Sequence, residues 1–234
     1  MIWIEIIYKV VYFKIIVMHK SVQNLLNIEK DIKSTLTNTN LPPKIIAVSK
    51  TFNLSKIMPL IEHGHVHYGE NKVQEAIEKW TDIKNKKNEI NLHMVGKLQS
   101  NKVKYAVKIF DYIHSLDSLK VAKKISDEQV KYKKKPKLFI QINIGSEVQK
   151  SGINKNDLTD FLNSCKTLEL DIVGLMCLPP HDENSEKYFS EMNTLSKQYQ
   201  FLESSMGMSN DYLKAIEYNS TFLRIGTKIF GERV

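Results

Sequence analysis

Cysteine is scarce: the 234 residues hold two, Cys165 and Cys177, and neither belongs to a CxxC pair. That excludes a disulfide framework and a cysteine-based zinc site, and a reducing cytoplasmic setting fits. No GxGxxG fingerprint follows any apolar run, which argues against a dinucleotide-binding fold. No uninterrupted apolar run reaches the ~18 residues of a membrane-spanning helix. The apolar start, residues 1–17, is broken by Glu5, Lys9 and Lys14, and it lacks a basic leader and a small-residue cleavage site. We expect residues 1–17 to be an extension outside the fold, with Met18 as the natural start and 18–234 as one domain. An amphipathic membrane tether is the alternative.

What is present suits a soluble globular chain, with 42% hydrophobic and 26% charged residues. The net charge is +8. Part of it lies in Lys131-Tyr132-Lys133-Lys134-Lys135-Pro136-Lys137, which has one aromatic residue and no nucleic-acid motif. The run falls between a helical pattern and a strand, so it reads as a solvated loop, and no nucleic-acid partner is expected.

One stretch organises the rest. Lys44-Ile45-Ile46-Ala47-Val48-Ser49-Lys50-Thr51 follows Pro42-Pro43 and precedes a helical pattern. A short β-branched run between such signals is a buried parallel strand. Similar runs recur at 65–70, 92–96, 112–116, 138–144, 172–178, 204–208 and 221–226, separated by helical patterns. The polar stretch Thr81 to Glu89 reads as a loop. About eight strand–helix alternations without a second compositional block predict a (β/α)8 TIM barrel of α/β class. Its ligand face would gather the strand carboxyl ends: Lys50, Glu70-Asn71, Gly96, Asp117, Asn143, Met176 to Leu178, Ser209 and Gly226-Thr227.

Lys50 ends an apolar strand, and desolvation there would lower its pKa and make it a Schiff-base nucleophile. Taken alone, the stretch favours the plainer reading, a surface lysine at a strand end, and the rest of the chain must decide. Gly226-Thr227 after strand eight, with Ser205-Met206-Gly207-Met208-Ser209 at strand seven, occupies the usual phosphate corner of such barrels. Two ordinary tight turns are the alternative, and Ser209 also stands where it could cap the next helix. Arg224 lies inside an apolar strand, so it must face a ligand or pair with a carboxylate such as Glu70 or Asp117. His65 and His67 share one strand face like a metal pair, but no third ligand stands at fixed spacing. Hydrogen-bonded neutral histidines fit better, and no metal is expected. A lysine, an anion corner and a neighbouring arginine would together suit a phosphorylated aldehyde such as pyridoxal 5′-phosphate.

These motifs occur in a telling order: Ala47-Val48-Ser49-Lys50-Thr51, Gly69-Glu70-Asn71, His93-Met94-Val95-Gly96-Lys97-Leu98-Gln99-Ser100-Asn101-Lys102, Lys150-Ser151-Gly152, Ser205-Met206-Gly207-Met208-Ser209 and Arg224-Ile225-Gly226-Thr227. Together they resemble the pyridoxal phosphate homeostasis protein family over about Met18 to Val234. The resemblance implies a single barrel like the amino-terminal domain of alanine racemase, without its carboxyl-terminal β-domain. It implies that Lys50 carries the cofactor as a Schiff base and that Arg224 faces the pyridine nitrogen. It further implies that Ser205 or Ser209, with Gly226 and Thr227, holds the phosphate, and that Asn71 lies near the ring. Lys150 matches a loop sometimes associated with secondary cofactor contact. Lys97 departs from the histidine that many members have there, adding charge near the mouth.

The expected role is a non-catalytic cofactor carrier of intracellular homeostasis that buffers pyridoxal phosphate or delivers it to apo-enzymes, monomeric and without stable membrane association. An arginine facing the pyridine nitrogen weakens the ring as an electron sink. Alanine racemases take their second acid/base from an added β-domain, and no sequence for one follows strand eight. The rival is a pyridoxal-phosphate-dependent amino-acid racemase or another pyridoxal-phosphate enzyme of this fold type.

Overall fold

The computed structural model describes residues 18–36, 41–145, 147, 151–180 and 184–232. Eight parallel strands close into a barrel in chain order. They are β1 (Lys44–Val48), β2 (His67–Glu70), β3 (Asn91–Met94), β4 (Tyr112–Leu116), β5 (Lys137–Ile142), β6 (Ile172–Cys177), β7 (Glu203–Ser205) and β8 (Phe222–Ile225). Around them lie α1 (Lys20–Thr35), α2 (Leu54–Glu62), α3 (Val73–Lys86), α4 (Val103–Ile109), α5 (Leu119–Tyr132), α6 (Leu158–Thr167), α7 (Ser185–Gln198), α8 (Tyr212–Glu217) and α9 (Thr227–Phe230). The expected (β/α)8 barrel is therefore the fold.

Closure is what brings the first and last strands together. β8 pairs with β1, setting Arg224 opposite Ile46 and Ile225 opposite Ala47. Helix α1 precedes the first strand and seals the helical ring beside α2, α8 and α9. The Asn24 amide donates to the Ile229 carbonyl at 2.9 Å, and the Tyr212 hydroxyl donates to Asp31 at 2.8 Å.

Alternation along each strand divides the core in two. Ile45 and Ala47 face the helices, while Ile46 and Val48 face the barrel interior with Tyr112, Phe139, Met176 and Phe222. Burying each such side chain stabilises by about 1.5–3 kcal/mol relative to exposure. The interior is not wholly apolar: His93, His114, Ser205 and Arg224 are buried there too.

Several expected boundaries shift. The polar stretch from Thr81 is helical as far as Lys86. Its residues have ordinary helix propensity, Ile83 packs on the core, and Lys84 reaches the Ile90 carbonyl at 3.0 Å and the Asp111 carboxylate. The polarity marked an exposed face, not a loop. β2 begins at His67 and β7 ends at Ser205, leaving Gly207 and Ser209 in the turn beyond. The lysine run joins α5 to β5 through Lys133, a left-handed helix end, while Lys134 donates to the Lys108 carbonyl at 3.0 Å. Residues 1–17 and Lys150 lie outside the described residues.

Candidate functional site

Lys50 is half-buried just beyond β1, and both of its neighbours are tied down. The Ser49 hydroxyl donates to Glu70 Oε1 at 2.7 Å. The Thr51 amide donates to Glu75 Oε1 at 2.6 Å, and Thr51 adopts a positive φ of 67°. Lys79 joins these points, donating to the Ser49 carbonyl, Glu70 and Glu75, each at 2.9 Å. Trp80 Nε1 adds a bond to Glu70 at 3.0 Å. A charged network under α3 thus fixes the backbone on either side of Lys50. Burial pushes the Glu75 carboxyl upward, but its bonds from Lys79 and Thr51 outweigh this and hold it below the ordinary value.

A second corner forms after β7 and β8. Gly207 turns the chain at φ 89°, where an added Cβ would stand 2.6 Å from that of Ala215. The turn carries Ser209 across to the end of β8. The expected capping role for Ser209 does not hold: Asp211 occupies the cap position of α8, and its carboxylate accepts from the Met208 amide at 2.6 Å. Ser209 Oγ instead meets Thr227 Oγ1 at 3.1 Å and accepts from the Lys228 amide at 3.3 Å. Gly226 heads the short helix α9 close to the end of β1, where an added Cβ would come within 3.3 Å of the Val48 carbonyl. Two hydroxyls and the Lys228 amide therefore converge beside the end of β1, two residues before Lys50.

Arg224 is 5% exposed and points into the barrel. Its partners are neither Glu70 nor Asp117. One guanidinium nitrogen donates to Ser205 Oγ at 2.7 Å and the other to the Cys177 carbonyl at 2.8 Å. Burial pulls its pKa down from the usual value, but arginine remains a cation. Ser205 and Ser209 are thereby separated. Ser205 is buried and engaged with Arg224 and His114, while Ser209 stands at the rim.

Other strand ends complete the mouth. Asn71 follows β2 and packs so tightly on Gly96 that an added Cβ there would lie 2.5 Å from the Asn71 carbonyl. Asn71 Oδ1 is buried without a hydrogen-bond partner among the described residues. Asp117 follows β4, its carboxyl pushed up by burial against the opposing pull of Lys97. A cavity of about 320 Å³ opens across β3, β5 and β6, lined by Gly96, Lys97, Gln141, Asn143 and Ser151 among others. Both cysteines are buried and unbridged, and burial pushes Cys177 up to about 12.

The structure brings together Lys50, Arg224, Gly226 and Thr227, whose strands are neighbours, with Ser209 bonded to Thr227. His65 and His67 do not pair: His65 donates to the His67 carbonyl, and His67 faces His93 at 3.0 Å. Glu75, Lys79 and His114 had no role in the sequence reading, and His93 entered it only as the first residue of a motif. They act on the site from other elements, at spacings no local pattern reveals.

Comparison with known proteins bears on the same mouth. The profile of the alanine racemase N-terminal domain matches residues 23–234. The pyridoxal phosphate homeostasis protein of Pasteurella multocida is 37% identical over 225 residues, covering 90% of this chain and 97% of that protein. PipY of Synechococcus elongatus without PLP superposes at a TM-score of 0.82 with 30% identity, covering 91% of this chain and all of PipY. PipY with PLP bound gives 0.78 and 32%, covering 90% and 100%. An alanine racemase of Clostridium difficile, at 16% identity and a TM-score of 0.68, shares the fold over 57% of its own length. The chain belongs to the alanine racemase N-terminal-domain family, and within it to the pyridoxal phosphate homeostasis proteins.

Proposed function

We propose that this chain binds pyridoxal 5′-phosphate in cofactor homeostasis, holding it on Lys50 and buffering or delivering it to apo-enzymes rather than using it catalytically. One observation carries the reading: a pinned lysine, a buried arginine with no carboxylate partner among the described residues and a two-hydroxyl anion corner lie on adjoining strand ends. When bound, the cofactor supplies an aldehyde that a primary amine captures with loss of water.

The residues fit that group. Ser209, Thr227 and the leading amides of α9 offer donors for a phosphate. We assign the phosphate to Ser209 and leave Ser205 to Arg224, because Ser205 is already engaged in the interior. The unpartnered Asn71 Oδ1 suits a donor on the ring. Arg224 supplies a cation that cannot take up or release a proton, which disfavours a protonated pyridine nitrogen. That favours holding the cofactor over carbanion chemistry. Residues 18–234 form the binding unit in this reading, with 1–17 outside it, and the protein acts as a cytoplasmic monomer with no nucleic-acid partner.

The test is a titration of the full chain with pyridoxal phosphate, followed by absorbance, for wild type and Lys50→Ala. Saturable binding lost in the variant supports the proposal, and equal binding by both overturns it. Incubation with single-enantiomer amino acids separates carrier from enzyme. Steady racemisation abolished by Lys50→Ala would replace the carrier reading with a racemase.

A further inference from the structure

Below Arg224 an unbroken hydrogen-bonded line runs through the barrel interior. Ser205 Oγ, which accepts from Arg224 at 2.7 Å, meets His114 Nδ1 at 2.9 Å. His114 Nε2 meets His93 Nδ1 at 2.9 Å, and His93 Nε2 meets His67 Nδ1 at 3.0 Å. His93 stacks on Tyr112 and His114 on Phe139, each with ring centres 4.4 Å apart. His93, His114 and Ser205 are fully buried. His67 ends the line beside a cavity of about 390 Å³ on the opposite face of the barrel, lined by Glu29, Lys33, Pro42, Pro43 and His65 among others.

Four strands contribute one group each, β2, β3, β4 and β7, and the line terminates on the arginine of β8. A core that needed only volume there would use apolar side chains, as Ile46, Phe139 and Phe222 do. A buried polar line is tolerated only when every donor finds an acceptor.

The line has a direction. A neutral imidazole has one donor and one acceptor, so three in series all point the same way. In one sense Ser205 donates its proton to His114 Nδ1, each ring donates from Nε2, and the Ser205 lone pairs are left for Arg224. In the reverse sense Ser205 accepts from both His114 and Arg224, and its own proton has no acceptor among the described residues. Satisfying every buried proton selects the first. Burial opposes protonation of His67, His93 and His114, and most of the neighbouring charges oppose it further. Arg224 faces His114, Lys44 of β1 and Lys84 of α3 act on His93, and Lys44 and Glu203 act in opposite senses on His67.

We propose that His114, held by His93 and His67, is a positioning residue that fixes Ser205 as the hydrogen-bond acceptor of Arg224 and so aims the guanidinium at its ligand. This deepens the cofactor reading, on which the ligand part of the test rests. The arrangement at the line itself stands without any cofactor.

Two measurements test it. The first is histidine-selective 15N NMR of the full chain without cofactor. His93 and His114 should both appear as neutral Nε2–H tautomers, unchanged across about pH 6 to 9. An Nδ1–H tautomer at His114, or titration of either ring in that range, overturns the proposal whatever the cofactor does. The second compares His114→Asn with His114→Gln. The asparagine amide overlays Nδ1 and keeps an acceptor for Ser205, whereas glutamine overlays Nε2, keeps the bond to His93 and abandons Ser205. His114→Gln and Ser205→Ala should weaken pyridoxal phosphate binding by about tenfold and alter its bound absorption spectrum, while His114→Asn restores both. Equal effects of the two His114 variants, or none from either, refute the positioning role. If a His114 variant does not fold, Ser205→Ala and the wild-type tautomers decide. Failure of wild type to bind pyridoxal phosphate defeats the cofactor reading instead and leaves the tautomer result standing.

Discussion

Replacing Lys79 by methionine removes the cation that joins Ser49, Glu70 and Glu75, and its consequences can be worked from the contacts. Glu70 is fully buried, and all three of its bonds converge on Oε1, from Ser49, Lys79 and Trp80. Its other oxygen has no partner among the described residues. Without Lys79, only the two neutral donors remain for a carboxylate in the interior. Breaking such a buried pair from one side destabilises by about 3–5 kcal/mol. For a chain of this length that lowers the melting temperature by roughly 6–20 °C. Urea unfolding followed by circular dichroism measures the loss. Repeating it in a Glu70→Gln background separates the terms. There no charge is stranded, and the change removes only hydrogen bonds to Ser49, Glu75 and the neutral amide, so at least about 2 kcal/mol of the effect should vanish. A single-variant loss below about 1 kcal/mol, or the same loss in both backgrounds, would refute the reasoning. Because Lys79 also fixes the Ser49 carbonyl, the folded variant should take up pyridoxal phosphate more slowly than wild type.

Acid should act through the histidines. Burial lowers His65 and His67 to about 4, and His93 and His114 lie well below the ordinary 6.5. Unfolding lets all four take protons near 6.5, so the unfolded state binds more protons below that pH. Stability should be full above 6.5 and fall as pH drops towards 4, by up to about 1.4 kcal/mol per pH unit for each histidine. A urea midpoint that stays flat from about pH 7 to 5 contradicts this. At the anion corner, Ser209→Ala and Thr227→Val should each weaken pyridoxal phosphate binding about three- to tenfold while leaving pyridoxal unaffected. Isothermal titration with both ligands checks it, and equal losses for pyridoxal would move the phosphate elsewhere. Gly207→Ala should destabilise by more than about 1 kcal/mol, since the added methyl meets Ala215 and a residue with a side chain is strained at positive φ. An unchanged urea midpoint would count against that turn geometry.

Much of the barrel was legible because a strand buried on both faces must be an apolar run, and eight such runs between helical patterns leave few topologies. Lys50, Arg224 and Gly226-Thr227 stood out because a charge or a glycine-hydroxyl pair at such a strand needs a reason. Ser205 and Ser209 could not be told apart, since they share one cluster and only the turn at Gly207 sends them to different places. The continuation of α3 past Thr81 was obscured because an exposed helical face and a loop have the same polar composition. The histidine line was illegible for a different reason: its contacts join residues 26, 21 and 91 positions apart. The same holds for the Glu70–Lys79 support, where a strand end and a helix meet only after folding.

Borohydride reduction of the pyridoxal-phosphate-loaded chain, followed by peptide mass mapping, tests the central claim most directly. The reduced cofactor mass should appear on the peptide containing Lys50 and vanish in Lys50→Ala. Stoichiometric modification of another lysine with Lys50 untouched would contradict the account.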